Sequence, residues 1–249
     1  MFENLHMDKV IIVTGGSRGL GCEIVKLLSS RGAHIAFTYG KNEKIANELL
    51  DEIADNTGRE HICMQVEADS LEGYKKLSEL VMEKWGKIDG LVNNLGVSEF
   101  YPLALLDEED WDRTTRINLK SAFAATKSII RPMIRKKSGS IVNVSSLAGV
   151  RILAAPIDYC ATKAALKGFS ESLCKEIGKY QIRVNCLAPG ILDGGVAKGI
   201  PEEKKEEFFE QTALGRPGSF SEIAKVTSFL LSDLSGYMSG STLIADGGL

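Results

Sequence analysis

The stretch Thr14-Gly15-Gly16-Ser17-Arg18-Gly19-Leu20-Gly21 decides the fold. It follows an apolar, β-branched run at residues 9–13 and leads without a break into a helical pattern at residues 20–30. Glycines at 15, 19 and 21 let the backbone turn sharply and approach a bound group closely. The helix that starts there directs free N–H groups and positive potential at the turn, and the combination suits a diphosphate. The spacing is GxxxGxG, not GxGxxG, and no Gly-Lys-Ser or Gly-Lys-Thr follows, which argues against a nucleoside triphosphatase.

Outward from this turn the same order repeats. Strand patterns at 9–13, 34–39, 61–66, 90–93, 140–144, 183–188 and 242–245 alternate with helical ones at 20–30, 43–55, 71–85, 108–136, 158–179 and 221–231. The strands are continuous apolar runs, as in a parallel sheet covered on both faces. Right-handed strand–helix–strand crossovers then give an α/β fold: a single doubly wound, Rossmann-type domain over residues 1–249, with about seven strands. Ligands of such sheets lie beyond the carboxyl ends of the strands, and each motif singled out below falls where a strand stops. Within that domain a substrate loop is expected at about residues 191–212. The run Glu202–Glu207 reads as a solvated helix face, and Ser219 with Glu222 has capping-box spacing.

Bulk properties narrow the function. With 33 acidic against 30 basic residues the net charge is −3, which gives no pull toward nucleic acid or anionic membrane. Residues 1–9 lack the apolar core of a signal peptide, and the first apolar run is far short of the roughly 20 residues of a membrane span. Five scattered cysteines without a CxxC pair point to free thiols and a cytoplasmic protein. Three dispersed histidines, His6, His34 and His61, form no ligand set, so no metal is expected.

Tyr159 and Lys163 lie four apart in a helical pattern and project from one face. A phenol of pKa near 10 is a poor acid–base group at neutral pH. An ammonium about 5 Å away, at an effective dielectric of about 20, favours the phenolate by roughly 3 kcal/mol, or about two pKa units. The alternative is an exposed Tyr–Lys pair on an amphipathic helix. Ser146, 13 residues before Tyr159, sits just past a strand, with Ser145 as its rival. Asn118 lies inside the long 108–136 pattern, where asparagine is a middling-to-poor helix former.

The TGxxxGxG turn, Asn93-Asn94-Leu95-Gly96, Asn118, Ser146, Tyr159-x-x-x-Lys163, Pro189-Gly190 and Asp246-Gly247-Gly248 together resemble the short-chain dehydrogenase/reductase family over almost the whole chain. The resemblance implies that Tyr159 is the acid/base, Ser146 polarises the carbonyl, Lys163 holds the ribose and lowers the tyrosine pKa, and Asn118 completes a water relay. It favours Ser146 over Ser145 by its spacing to the tyrosine. The cofactor would lie along Gly15, Ser17, Arg18, Gly19, Leu20 and Gly21, against Tyr39, Gly40 and Lys41, then Ala68 and Asp69, then Asn94 and Gly96, and finally Pro189, Gly190 and Leu192, with Tyr159 and Lys163 also touching it.

The second strand ends in Tyr39 where an NAD-preferring site carries an acid, while Arg18 and Lys41 flank it. Two cations and no acid suit the 2′-phosphate of NADP(H), although both could be simply solvated. Asp69 is either a contact to adenine or a helix cap before Leu71. Two departures stand out: Leu95 replaces the family's alanine, so that the neighbours must be smaller or the loop must shift, and Gly194 replaces a threonine whose hydroxyl helps hold the nicotinamide carboxamide.

The tail Leu214-Gly215-Arg216-Pro217 … Ala245-Asp246-Gly247-Gly248 is most like 3-oxoacyl-(acyl-carrier-protein) reductases. The expected reaction is NADPH-dependent reduction of a 3-oxoacyl thioester. The alternatives are a ketoreductase or alcohol dehydrogenase for a small free metabolite, or a catalytically silent NADPH-sensing regulator. Arg131, Arg135, Lys136 and Lys137, with Lys175 and Lys179, could receive an acidic acyl carrier protein or be solvated helix ends. The resemblance further implies a homotetramer paired through helices 108–136 and 158–179.

Overall fold

Val10–Val13 (β1) is buried at every position. Ile11 and Val13 join one apolar cluster and Val10 and Ile12 the other, so alternate side chains feed two cores from a single strand. This is why the run carries no polar alternation. The protein is described here by a computed structural model over residues 4–249; residues 1–3, the start of the segment read as lacking a leader, lie outside it.

β1 is joined by His34–Tyr39 (β2), Ile62–Gln65 (β3), Gly90–Asn93 (β4), Gly139–Val144 (β5), Ile182–Pro189 (β6) and Thr242–Ala245 (β7). All pair in parallel, in the order β3-β2-β1-β4-β5-β6-β7. Helices Gly19–Ser30 (α1), Glu43–Thr57 (α2) and Phe220–Leu231 (α8) cover one face through Ile24, Leu28, Leu49 and Leu230. Leu71–Trp85 (α3), Ser121–Lys136 (α5) and Ile157–Ile177 (α6) cover the other through Tyr74, Leu77, Ile129 and Ile177. The winding reverses between β1 and β4, which opens a crevice above their carboxyl ends.

The expected helix at 108–136 is three pieces: Glu108–Thr115 (α4), a π-helical turn Arg116–Lys120, and α5. The inserted turn carries Asn118, whose side chain bonds outside the helix. Across it the buried positions 114, 118, 122, 125 and 129 keep spacings of three and four, so the pattern reads straight through. α2 runs two residues past its expected end, to Thr57, and stops where Gly58 turns left-handed (φ 63°). The run at 202–207 forms Glu202–Gln211 (α7), none of it buried, and Ser219 with Glu222 makes both halves of a capping box at α8.

Two buried histidines tie the periphery together. The His6 ring nitrogen Nε2 is 2.7 Å from Ser228 Oγ on α8. His61 Nδ1 accepts the Ile35 amide at 3.1 Å, so its proton sits on Nε2, toward Thr57 Oγ1. Burial, aided by nearby positive charge, lowers His6 to about 4, and burial also lowers His61 to about 4. Both folded pKa values are depressed, so the stability each contributes is complete above the unfolded value near 6.5 and is lost as pH falls toward 4. Urea unfolding should therefore give constant stability above about pH 6.5 and a steady decline below it; equal stability at pH 7 and pH 4.5 would contradict this account.

Candidate active site

The glycine turn closes over the end of β1. Gly15 and Gly19 have φ of 64° and 56°, and a Cβ on Gly21 would stand 2.2 Å from the Gly15 carbonyl oxygen. Asn94 holds the turn to β4, donating from Nδ2 to the Thr14 and Gly15 carbonyls at 3.1 and 3.2 Å. At the start of α1, Arg18 supplies no side-chain cap. Among the described residues no side chain accepts from the first-turn N–H groups, and a diphosphate fits that donor set. Leu95, half-buried, lies across Gly15, where a Cβ would meet its Cδ2 at 2.6 Å. The larger residue is accommodated because its neighbour has no side chain.

Along the rim, the Tyr39 ring is buried in the α1–α2 core, leaving exposed Gly40 and Lys41 at the end of β2. Arg18 is exposed beside the turn and Ala68 is half-buried. Asp69 does not cap α3; Ser70 does, accepting the Gly73 amide. Asp69 instead pairs with Lys120 Nζ at 2.8 Å, and that bond holds its carboxyl below the usual range. On the far side, Leu192 forms a parallel bridge with Gly218: Gly218 N donates to Ile191 O and Asp193 N to Gly218 O, each at 3.0 Å. In a parallel bridge the central residue's own N–H and C=O point the other way, so those of Leu192 remain available beside Pro189 and Gly190.

At the end of β5 the two serines separate. Ser145 Oγ donates to the Lys163 carbonyl at 2.6 Å and is spent inside the structure. Ser146 Oγ accepts the Ala148 amide, at 3.2 Å, and lies beside the Tyr159 phenol. The turn Leu147–Gly149 rests on α6: a Cβ on Gly149 would lie 2.5 Å from the Lys163 carbonyl carbon. Lys163 is buried, donates to the Val144 carbonyl at 2.9 Å, and lies 5.7 Å from the Tyr159 ring centroid. Gly96 leaves room for it, since a Cβ there would be 3.1 Å from Nζ.

The electrostatics differ from the expectation of a phenol made acidic by Lys163. Burial pushes the Tyr159 pKa up, opposed by the Ser146 hydroxyl, and burial pulls Lys163 down to about 8. The ammonium is directed at a backbone carbonyl and the phenol keeps its proton. Such a pair of hydroxyls can place two donors on one acceptor oxygen, with a proton ready to leave.

Asn118 clamps the segment after β4. Its Oδ1 accepts the Val97 amide at 2.8 Å, and its Nδ2 donates to the Val97 carbonyl at 2.9 Å and to Thr162 Oγ1 at 3.1 Å. Thr162 and the Val97 backbone escaped the sequence reading; nothing in their local pattern marks them, because the π turn alone brings Asn118 to both.

The chain is similar to known proteins over nearly its whole length. A family model described as Enoyl-(Acyl carrier protein) reductase matches residues 15–249. The 3-oxoacyl-(acyl-carrier-protein) reductase of Chlamydia muridarum is 37% identical over 99% of both chains. The enzyme of that name from Thermotoga maritima is 34% identical over 97% of both. A short-chain dehydrogenase/reductase from Serratia marcescens superposes with a TM-score of 0.90 at 29% identity, covering 98% of each chain. Levodione reductase does so with a TM-score of 0.91 at 26% identity, covering 97% of each.

Asn118→Ala removes both partners of the Val97 backbone. It should cost about 2–3 kcal/mol of stability and speed hydrogen exchange at the Val97 amide; unchanged protection there would show that the clamp holds nothing.

Proposed function

The chain belongs to the short-chain dehydrogenase/reductase family, oxidoreductases acting on CH–OH and C=O groups, and on that premise we propose that it reduces the ketone of a 3-oxoacyl thioester to the secondary alcohol with NADPH. The observation that supports the reading is the nearness of the Ser146 hydroxyl to the Tyr159 phenol beyond the carboxyl end of β5, taken with the uncapped start of α1 after β1. The nicotinamide cofactor, when bound, supplies the hydride. Ser146 orients the carbonyl oxygen, and Tyr159, protonated and half-buried, delivers the proton to it. Lys163 lies behind the phenol, at the position that would hold the ribose, and Asn118 keeps residues 95–97 in place for a water relay. The relatives are named as reductases of 3-oxoacyl-(acyl-carrier-protein), which favours the thioester over a small free ketone. Likeness to levodione reductase keeps the small ketone as a second reading.

Residues 191–212 serve in this proposal as the substrate loop of the single domain. NADPH is preferred because Arg18 and Lys41 are both exposed at the rim and the buried Tyr39 stands where an acid would receive a 2′-hydroxyl. The basic group Arg131, Arg135, Lys136 and Lys137 ends α5 just before β5 begins, roughly 24 Å along the helix from its start near Asn118. A carrier docked there faces away from Tyr159 of its own chain, so it would serve a neighbouring copy. Trp111, Phe123 and Ile157, 39%, 42% and 47% exposed on α4, α5 and α6, supply apolar faces for the expected homotetramer. No helix among the described residues is long and apolar enough to cross a membrane. All five cysteines are free, which fits a reducing cytoplasm.

Incubation with NADPH and acetoacetyl thioester should consume the cofactor and give the 3-hydroxy product, while a crotonyl thioester should not react. Cofactor binding without turnover on any carbonyl would favour a silent sensor. Tyr159→Phe should lower turnover by about 10² or more with NADPH binding intact. Ser146→Ala should cost about 10², whereas Ser145→Ala should mainly cost stability, about 1 kcal/mol. Equal losses from the two serine variants would refute the assignment. A charge-assisted contact of about 2–3 kcal/mol predicts a 30- to 150-fold preference, roughly, for NADPH over NADH. Arg18→Ala should shrink it, and equal use of both cofactors by the unaltered protein would overturn the claim.

A further inference from the structure

Phe220 is the first residue of α8, directly after the Ser219 cap, and is half-buried. The tip of its ring meets glycines from two separate walls of the crevice. A Cβ on Gly194 would come within 3.0 Å of the ring, one on Gly195 within 3.6 Å, and one on Gly19 within 3.8 Å. Gly19 starts α1 at the diphosphate turn; Gly194 and Gly195 start the loop that leads to α7. One aromatic ring thus spans the gap between the two.

The backbone does not demand glycine at 194. Its φ is −179°, extended geometry open to any residue, whereas Gly195 at 65° is left-handed. What a side chain at 194 would press against is the ring itself, which would have to give by a few tenths of an ångström for a Cβ alone. A threonine there would carry two further heavy atoms beyond a Cβ that is already in tight contact with the ring. The segment bearing Phe220 is also fastened to the loop's origin by the paired hydrogen bonds between Gly218 and residues 191 and 193. The loop cannot shift at its start without pulling on the ring. Beyond it anchoring is sparse: α7 buries no residue.

We propose that Phe220 is a positioning residue of the cofactor groove, whose ring sets the spacing between the glycine turn and the start of the substrate loop and keeps position 194 free of any side chain. This rests on reading the groove as a dinucleotide site. It also accounts for the missing threonine: the ring occupies the space that a side chain at 194 would need.

The test uses four proteins: unaltered, Gly194→Thr, Phe220→Ala and the double variant. Two measurements are made, the NADPH dissociation constant by fluorescence titration and the rate of tryptic cleavage at Lys198, Lys204 and Lys205 without ligand. Gly194→Thr should weaken NADPH binding about tenfold in the unaltered background and less than about twofold when Phe220 is alanine. Phe220→Ala alone should accelerate cleavage of the loop several-fold, by about 3- to 10-fold, at unchanged thermal midpoint. Equal weakening in both backgrounds, or loop cleavage at the unaltered rate, overturns the proposal. If the unaltered protein binds no NADPH, the reading of the groove fails, and the cleavage rates still decide the role of the ring. Should Phe220→Ala not fold, Phe220→Leu, which withdraws the ring tip but keeps apolar bulk, takes its place in every arm.

Discussion

Lys163 is a buried ammonium with no carboxylate beside it among the described residues, and much of the site is arranged around that fact. An isolated buried charge is costly unless hydrogen-bonded. Here the Val144 carbonyl accepts from it at the end of β5, while Gly96 leaves the clearance it needs. The helix that carries it is pinned by Ser145, which donates to the Lys163 carbonyl, and by Gly149, which lies against the same peptide. The result is a fixed distance between β5 and α6, and that distance brings Ser146 and Tyr159 to one space. Burial lowers the lysine to about 8, so it holds its proton at neutral pH with little to spare.

A second frame holds the opposite wall. Thr14, Gly15 and Asn94 lock the ends of β1 and β4 across the point where the sheet reverses its winding. Leu95 lies on Gly15 within that frame. Asn118, carried by the π turn, then fixes the Val97 backbone that follows β4. Strand ends, helix starts and one irregular helical turn thus position every group at the site.

The seven-strand parallel sheet was legible because continuous apolar runs and a glycine turn are local signals that tertiary packing reinforced. The serine–tyrosine–lysine spacing was legible for the same reason: a helical turn and a strand end convert sequence distance into direction. Other features were not. The π turn at Arg116–Lys120 keeps the apolar stripe intact and so leaves no trace in the periodicity. Tyr39 holds the position of a cofactor contact, yet its ring turns into the core. Asp69 has cap-like placement, yet Ser70 takes the cap and Lys120 takes the carboxylate. The acidity of Tyr159 was overestimated because a pairwise attraction ignored the burial of both partners, which acts on each in the opposite direction.

The central claim is that two hydroxyls converge on one substrate oxygen. Its most direct measurement is a crystal structure of the complex with oxidised cofactor and a 3-hydroxyacyl thioester. The account predicts the hydroxyl oxygen of the product within about 2.6–3.2 Å of both Tyr159 Oη and Ser146 Oγ. A product oxygen bound away from that pair, or paired with Ser145 instead, would contradict it.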